Sequence, residues 1–237
     1  MKKTVGIIGG MGPAATCDLM MKIIAFTDAS CDQEHLHVIA DVNTNIPDRT
    51  AAILHGGDDP VPELQRSAKR LQMAGAELLI MPCNTAHYFY DSVAAAVDIP
   101  VVHMPRETAS VLQAAGVKTA GVLATDVTVQ SGVYEKALAQ AGIRAVYPSR
   151  SRQKQVMRLI YDGVKARKMP LWNIPVKAIL AELHEQGAEK ILLACTELPI
   201  AFRELGISDG CLDPTAVLAF AAVQQAGAKT TVENLLS

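Results

Sequence analysis

The feature that most constrains this chain is that it is written twice. Lys3-Thr4-Val5-Gly6-Ile7-Ile8-Gly9 reappears as Lys118-Thr119-Ala120-Gly121-Val122-Leu123-Ala124, an offset of 118 − 3 = 115. Gly75-Ala76-Glu77-Leu78-Leu79-Ile80-Met81-Pro82-Cys83 reappears as Gly187-Ala188-Glu189-Lys190-Ile191-Leu192-Leu193-Ala194-Cys195, an offset of 187 − 75 = 112. Two matches in one order at nearly one offset call for two halves of similar structure. A weaker third echo links Thr108-Ala109-Ser110-Val111-Leu112 to Thr215-Ala216-Val217-Leu218.

Within each half, short hydrophobic runs alternate with helical stretches, the pattern of a mostly parallel sheet. Thr4–Gly9 and Leu36–Asp41 read as strands, and Leu78–Pro82 as a buried one. A helix is predicted from about Pro60 to Ala74, stopped by Gly75; its counterpart, Ile174–Gln186, stops at Gly187 and feeds the strand Lys190–Ala194. A helix around Arg106–Ala115 leads into the second half, and one around Pro214–Ala226 returns to the first. The expectation is an α/β fold of two similar lobes related by a pseudo-twofold axis. Each would hold a mostly parallel sheet flanked by helices, with the active site in the cleft between them. Residues 1–97 with 213–237 would form lobe one, and 98–212 lobe two. Half of the 237 residues are hydrophobic and only 4% aromatic, which suits helices packed closely on buried strands.

Charge and pattern exclude several classes. A formal net charge of −2 without any run of Lys or Arg gives no nucleic-acid footprint. No segment reaches the roughly 18 apolar residues of a membrane span. The opening MKKTVGIIGGMGPAA has the look of a signal peptide, but Gly9-Gly10-Met11-Gly12-Pro13 breaks its apolar run after five residues, and a similar string recurs in mid-chain. Five widely spaced cysteines without a CxxC pair suggest neither a disulfide framework nor a zinc site. A soluble, cytoplasmic protein is expected. Gly9, Gly10 and Gly12 miss the dinucleotide-binding spacing because position 15 is Ala15. They read instead as a tight turn that lets the backbone approach a substrate, with Pro13 starting the next helix. His35 and His37 share a face of the expected strand but lack a third ligand, so no metal is expected. His87 reads as packing on its own helix, and Cys17, Cys31 and Cys211 as small hydrophobes.

Cys83 and Cys195 differ from the other cysteines. The repeat makes them equivalent, and each falls just beyond a hydrophobic strand, where open α/β sheets bind ligands. Racemisation takes a proton from one face of a carbon and returns one to the other, so two acid/base groups, one per face, are its direct solution. Asn84-Thr85-Ala86 and Thr196-Glu197-Leu198 read as helix openings. Their free N–H groups and dipole would lower each thiol's pKa and, with the Thr85 and Thr196 hydroxyls, hold a substrate α-carboxylate. Donors placed there would also stabilise the enediolate-like charge that deprotonation creates.

Six pieces in order, GGMGPAAT (9–16), NTNIPDR (43–49), MPCNTAH (81–87), GVLAT (121–125), YDGVKA (161–166) and ACTELP (194–199), give the chain its resemblance to the aspartate/glutamate racemase family, and within it to the aspartate branch. The resemblance implies two α/β lobes, no pyridoxal phosphate or other cofactor, no metal, and Cys83 and Cys195 as the catalytic pair. It implies that Arg49 and Lys165 hold the distal carboxylate of an acidic amino acid. Asn84, Thr85, Ala86, Thr125 and Thr196 are the further residues expected to bind substrate, and a homodimer is compatible with the resemblance. Glutamate racemases resembling this family carry Asp-Ser after the first strand and His two residues past the second cysteine. Here Gly9-Gly10-Met11 and Glu197 stand in those places, which favours aspartate. The alternatives are a glutamate or broad-specificity racemase, a maleate isomerase-like enzyme using one cysteine as a nucleophile, and a non-catalytic amino-acid-binding protein.

Overall fold

The computed structural model describes residues 2–232 and 235. The chain packs as two compact units, Met1–Thr108 with Thr215–Ser237, and Ala109–Pro214. The first boundary lies within the helix Met104–Ala114. The first unit holds β1 (Val5–Gly9), β2 (Val38–Val42) and β3 (Leu78–Ile80), all parallel, in the order β2-β1-β3. An isolated parallel bridge from Leu79 to Val101 extends its far side. The second unit holds β4 (Thr119–Ala124), β5 (Arg144–Val146), β6 (Lys190–Ala194) and β7 (Cys211–Leu212), parallel in the order β5-β4-β6-β7. The fold is α/β, with two parallel sheets flanked by helices.

The sequence repeat is a repeat of register. Val5 pairs with Leu78 in one sheet, and Ala120, its repeat equivalent, pairs with Lys190, the equivalent of Leu78, in the other. The helix ends match as well. Ala76 N–H donates to the Leu71 carbonyl and Ala188 N–H to that of Leu183, both at 3.0 Å, after glycines at φ +98° and +91° that only a residue without Cβ adopts readily. Each strand glycine faces this closing turn. A Cβ on Gly6 would stand 2.6 Å from Leu79 Cδ2 and 2.8 Å from Ala76 Cβ; one on Gly121 would stand 2.7 Å from Ile191 Cδ1 and 3.2 Å from Ala188 Cβ.

Strand alternation splits the first sheet's side chains between two cores. Val5, Ile7, Leu78 and Ile80 pack with Leu19, Ile23, Leu218 and Val223 of the helices Pro13–Phe26 and Pro214–Gln225. Ile8 and Leu79 pack on the other face with Leu64, Ala68 and Leu71 of the helix Val61–Met73. In the second unit Leu123, Ile191 and Leu193 share a core with Ile179 and Leu183 of the helix Val176–Glu185 and with Phe202. Two elements depart from expectation. β2 begins at Val38, after a 3-10 turn at Asp32–Glu34, so His35 and His37 precede the strand. β3 ends at Ile80: Pro82 offers no N–H to a ladder, and Cys83 N–H folds back on the Met81 carbonyl at 2.9 Å.

The segment after β3 is pinned by a buried histidine. His87 Nδ1 lies 2.8 Å from the Cys83 carbonyl, while Met104 N–H donates to Nε2 at 3.1 Å. These partners require a neutral ring with its proton on Nδ1. Burial holds the His87 pKa down, to about 3, and burial followed by the nearby Arg106 lowers that of His103 to about 4. His103 packs edge-on against both His87 and Tyr90, whose hydroxyl donates to the Val101 carbonyl at 2.8 Å.

Gly6→Val and Gly121→Val should each destabilise the fold by about 1–3 kcal/mol, the usual cost of overpacking, because Ala76 and Ala188 have no flexible end to move aside. Urea unfolding would report the loss, and parental midpoints would show that strand and helix can part at no cost. A second outcome concerns acid. The unfolded chain protonates His87 near 6.5, whereas the folded chain resists until about 3. The folded state therefore holds its full advantage above the upper value and loses it as the pH falls toward the lower. The urea midpoint should drop between about pH 7 and about pH 5, and drop less in His87→Gln. An equal drop in both proteins would show that this ring is not the acid-sensitive group.

Candidate active site

The motif pieces of the first unit converge at the carboxyl ends of its strands. After β1, Gly10 takes φ +92°, and a Cβ there would lie 2.4 Å from the backbone carbonyl of Asn43. The glycine turn thus leaves room for the backbone of Asn43 in the 43–49 loop. Thr16 Oγ1 fixes the turn by accepting from Gly10 N–H at 3.0 Å, and Pro13 opens the next helix as predicted. Met11, Ile46, Cys83 and Ala86 share one buried cluster.

Arg49 begins the helix Arg49–His55, which Asp48 caps by accepting from Ala51 N–H at 2.8 Å. Its Nη1 donates to the carbonyls of Ile46 and Pro47 at 3.1 and 2.8 Å, and its buried Nε has no hydrogen-bond partner among the described residues. The guanidinium is therefore oriented by its loop yet retains an unspent donor. A polar cavity of about 550 Å³ opens beside the end of β2, but its arginines, Arg66 and Arg70, already pair with Glu63 and Asp41. Cys83 is buried, as are Asn84 and Ala86, with Thr85 half-buried. The segment after Cys83 is a 3-10 helix, Thr85–Phe89, where an ordinary helix opening had been expected.

In the second unit the register Ala124↔Ala194 brings Thr125 and Cys195 off the sheet at one level. Thr125 is the N-cap of the helix Asp126–Gln130, its hydroxyl accepting from Thr128 N–H at 3.3 Å. Cys195, Thr196 and Lys165 meet at a residue that sequence analysis had read only as a departure from histidine. The Cys195 thiol donates to Glu197 Oε2 at 3.0 Å, the Thr196 hydroxyl donates to the same oxygen at 3.3 Å, and Lys165 Nζ lies 3.4 Å from Oε1. Glu197 itself is buried. Lys165 arrives on a π-helical turn, Leu159–Lys165, that widens the end of the helix Arg150–Arg158, and its ammonium lies over the Tyr161 ring.

This surrounding reverses the expected electrostatics of Cys195. Burial above all, and then the charge of Glu197 and its hydrogen bond, push the thiol pKa well up from its ordinary value. The helix that should have lowered it starts only at Leu198 and runs for seven residues. A carboxylate two positions from a buried thiol was the available sequence signal for Glu197. Among the described residues no group of three or more His, Cys, Asp or Glu could hold a metal ion, and no helix is long and apolar enough to cross a membrane.

Known proteins resemble this chain along nearly its whole length. The profile of the Asp/Glu/hydantoin racemase family matches residues 8–222. The broad-specificity amino-acid racemase of Bacillus subtilis is 28% identical over 235 residues, covering 92% of this chain and 96% of that one. The aspartate racemase of Picrophilus torridus superposes with a TM-score of 0.85 at 32% identity, covering 97% of this chain and 96% of its own. An aspartate racemase homologue from Pyrococcus horikoshii superposes with a TM-score of 0.78 at 26% identity, covering 95% and 99%. With likenesses that span nearly its whole length, the chain belongs to the Asp/Glu/hydantoin racemase family and is an isomerase of the amino-acid racemase class.

Proposed function

We propose that this enzyme interconverts L- and D-aspartate with Cys83 and Cys195 as opposing acid and base on one α-carbon. The observation that carries the reading is that two buried thiols stand at equivalent points of one repeat, each just past a strand of matching register. In one direction a Cys83 thiolate removes the α-proton and the Cys195 thiol supplies one to the opposite face; in the other the roles exchange. Cys195, held as a thiol by its surroundings, is the resting acid. Because the thiols supply both proton steps, the reaction needs no pyridoxal phosphate and no metal.

A dicarboxylate needs a second anion site, and Arg49 suits it, since its Nε is unspent and its other end is already anchored. Lys165, whose ammonium lies 3.4 Å from Glu197 Oε1, would bring a second positive charge to the same carboxylate. Asn84, Thr85, Ala86, Thr125 and Thr196 would surround the α-carboxylate. Five free cysteines suit a reducing, cytoplasmic setting. The Bacillus relative's name supports a second reading, a wider amino-acid range, which the same assay separates.

Incubation in D2O with single L-amino acids and no added cofactor, followed by proton NMR and chiral chromatography, should show α-deuteration and the D-enantiomer for aspartate. Dependence on added pyridoxal phosphate would overturn the mechanism. Cys83→Ser and Cys195→Ser should each nearly abolish racemisation, while any residual α-exchange keeps opposite enantiomer preference in the two variants. Near-parental conversion by either variant would remove that cysteine from the mechanism. Arg49→Leu should lower kcat/KM for aspartate about tenfold or more, since a hydrogen bond to a charged group contributes about 1.5–3 kcal/mol. Unchanged kinetics would show that the distal carboxylate is held elsewhere.

A further inference from the structure

The repeat sets Cys83 and Cys195 at equivalent points, yet their main chains are held there by different means. The Cys195 carbonyl accepts from Leu198 N–H at 2.9 Å, a bond of the backbone itself. The Cys83 carbonyl accepts instead from a side chain, the Nδ1–H of His87, at 2.8 Å. The repeat counterpart of His87 is Pro199 (87 + 112 = 199), which has no proton to donate. His87 is thus a device of the first half alone. Both of its nitrogens are committed, because Nε2 accepts at 3.1 Å from Met104 N–H, which opens the helix Met104–Ala114 and has no carbonyl to meet within it. His87 and Met104 are buried, so without the ring two backbone groups would lie unsatisfied beside Cys83. The plane of the ring is held as well: Tyr90 stacks parallel to it at 6.3 Å, and His103 meets it edge-on at 5.3 Å.

Cys83 lies beyond the end of the β3 ladder at Ile80, where sheet bonds no longer fix the chain. Its N–H turns back to the Met81 carbonyl at 2.9 Å, and its carbonyl is taken by His87. These two bonds, one on each side of Cα, set the backbone angles of Cys83 and with them the direction of its Cα–Cβ bond. We propose that His87 is a positioning residue for the Cys83 thiol, holding the turn after β3 so that Sγ keeps its line to the substrate α-carbon. The ring takes no part in proton transfer, since one nitrogen spends its proton on the Cys83 carbonyl and the other its lone pair on Met104. Burial keeps it neutral down to about pH 3, so both bonds persist through the working range. The placement matters because an error of about 1 Å at a reacting group costs about a hundredfold in rate. The two thiols are therefore anchored unequally: Cys195 by its own backbone, Cys83 by one replaceable side chain.

This role presupposes the two-thiol reading but is tested apart from it. His87→Asn keeps a donor near the place of Nδ1 and loses the acceptor for Met104; His87→Gln keeps an acceptor near Nε2 and loses the donor; His87→Leu loses both. In the full chain, without substrate, the cysteines are alkylated with iodoacetamide and followed one by one by peptide mass spectrometry, with Cys195 as the internal reference. In His87→Leu and His87→Gln the alkylation of Cys83 relative to Cys195 should rise about tenfold, as the released turn opens locally. In His87→Asn the ratio should stay close to that of the parent. For aspartate, kcat should fall about a hundredfold in the Leu and Gln variants, as for a misplaced reacting group. KM should stay within about twofold, since no bond to substrate is removed. His87→Asn should retain most of the parental rate. If the Leu variant fails to fold, the contrast between Asn and Gln carries the test. A parental kcat and alkylation ratio in His87→Gln, an equal loss in Asn and Gln, or a rise shared by both cysteines would overturn the proposal. If Cys83→Ser racemises aspartate at the parental rate, the two-thiol reading has failed instead, and the alkylation ratio still decides whether His87 holds the Cys83 turn.

Discussion

The rest of the structure depends on a close contact that the chain makes twice: a strand glycine lying against the turn that joins a later helix to the neighbouring strand. Gly6 meets Leu71, Ala76 and Leu79, and Gly121 meets Leu183, Ala188 and Ile191, each residue of one set the repeat counterpart of one in the other. With no Cβ between them, helix and strand approach closely enough for Ala76 and Ala188 to pack flat on the sheet. That contact sets the register of β1 on β3 and of β4 on β6. Cys83 and Cys195 then follow the ends of β3 and β6, the first of which Pro82 stops.

From there the chemistry is governed by what burial does to polar groups. Arg49 keeps one donor unspent because its own loop, through the Ile46 and Pro47 carbonyls, holds the rest of the guanidinium in place. His87 is kept neutral by burial and by having a donor on one side and an acceptor on the other, and so ties the Cys83 carbonyl to the start of the helix Met104–Ala114. Cys195 is kept protonated because a buried thiolate would face Glu197. In each case the protonation state or free donor is a property of the enclosure, and the side chain alone would behave otherwise in water.

Much of the fold was legible in the chain. β6 runs Lys190–Ala194 as read, the helix Val61–Met73 falls within one residue of its predicted bounds at each end, and Gly75 and Gly187 terminate helices in the left-handed region as their positions suggested. The misreadings have local causes. Alternation continues back from Val38 through Leu36, so the strand seemed to start earlier, but the 3-10 turn at Asp32–Glu34 occupies the approach. A hydrophobic run continues through Met81, so β3 seemed longer than the ladder permits once Pro82 is reached.

The sequence by itself determined the α/β class, the doubling of the fold, the helix stops at Gly75 and Gly187 and the equivalence of Cys83 and Cys195 within the repeat. These follow from periodicity, stop signals and repetition, which are local or self-comparing properties of a chain. Only the tertiary structure decided the protonation of Cys195, the neutrality of His87, the anchoring of Arg49 and the gathering of Lys165, Thr196 and Cys195 around Glu197. Proton affinity depends on which groups surround an atom and how much water reaches it, and Lys165, 32 residues before Glu197 (197 − 165), becomes its neighbour only when the chain has folded.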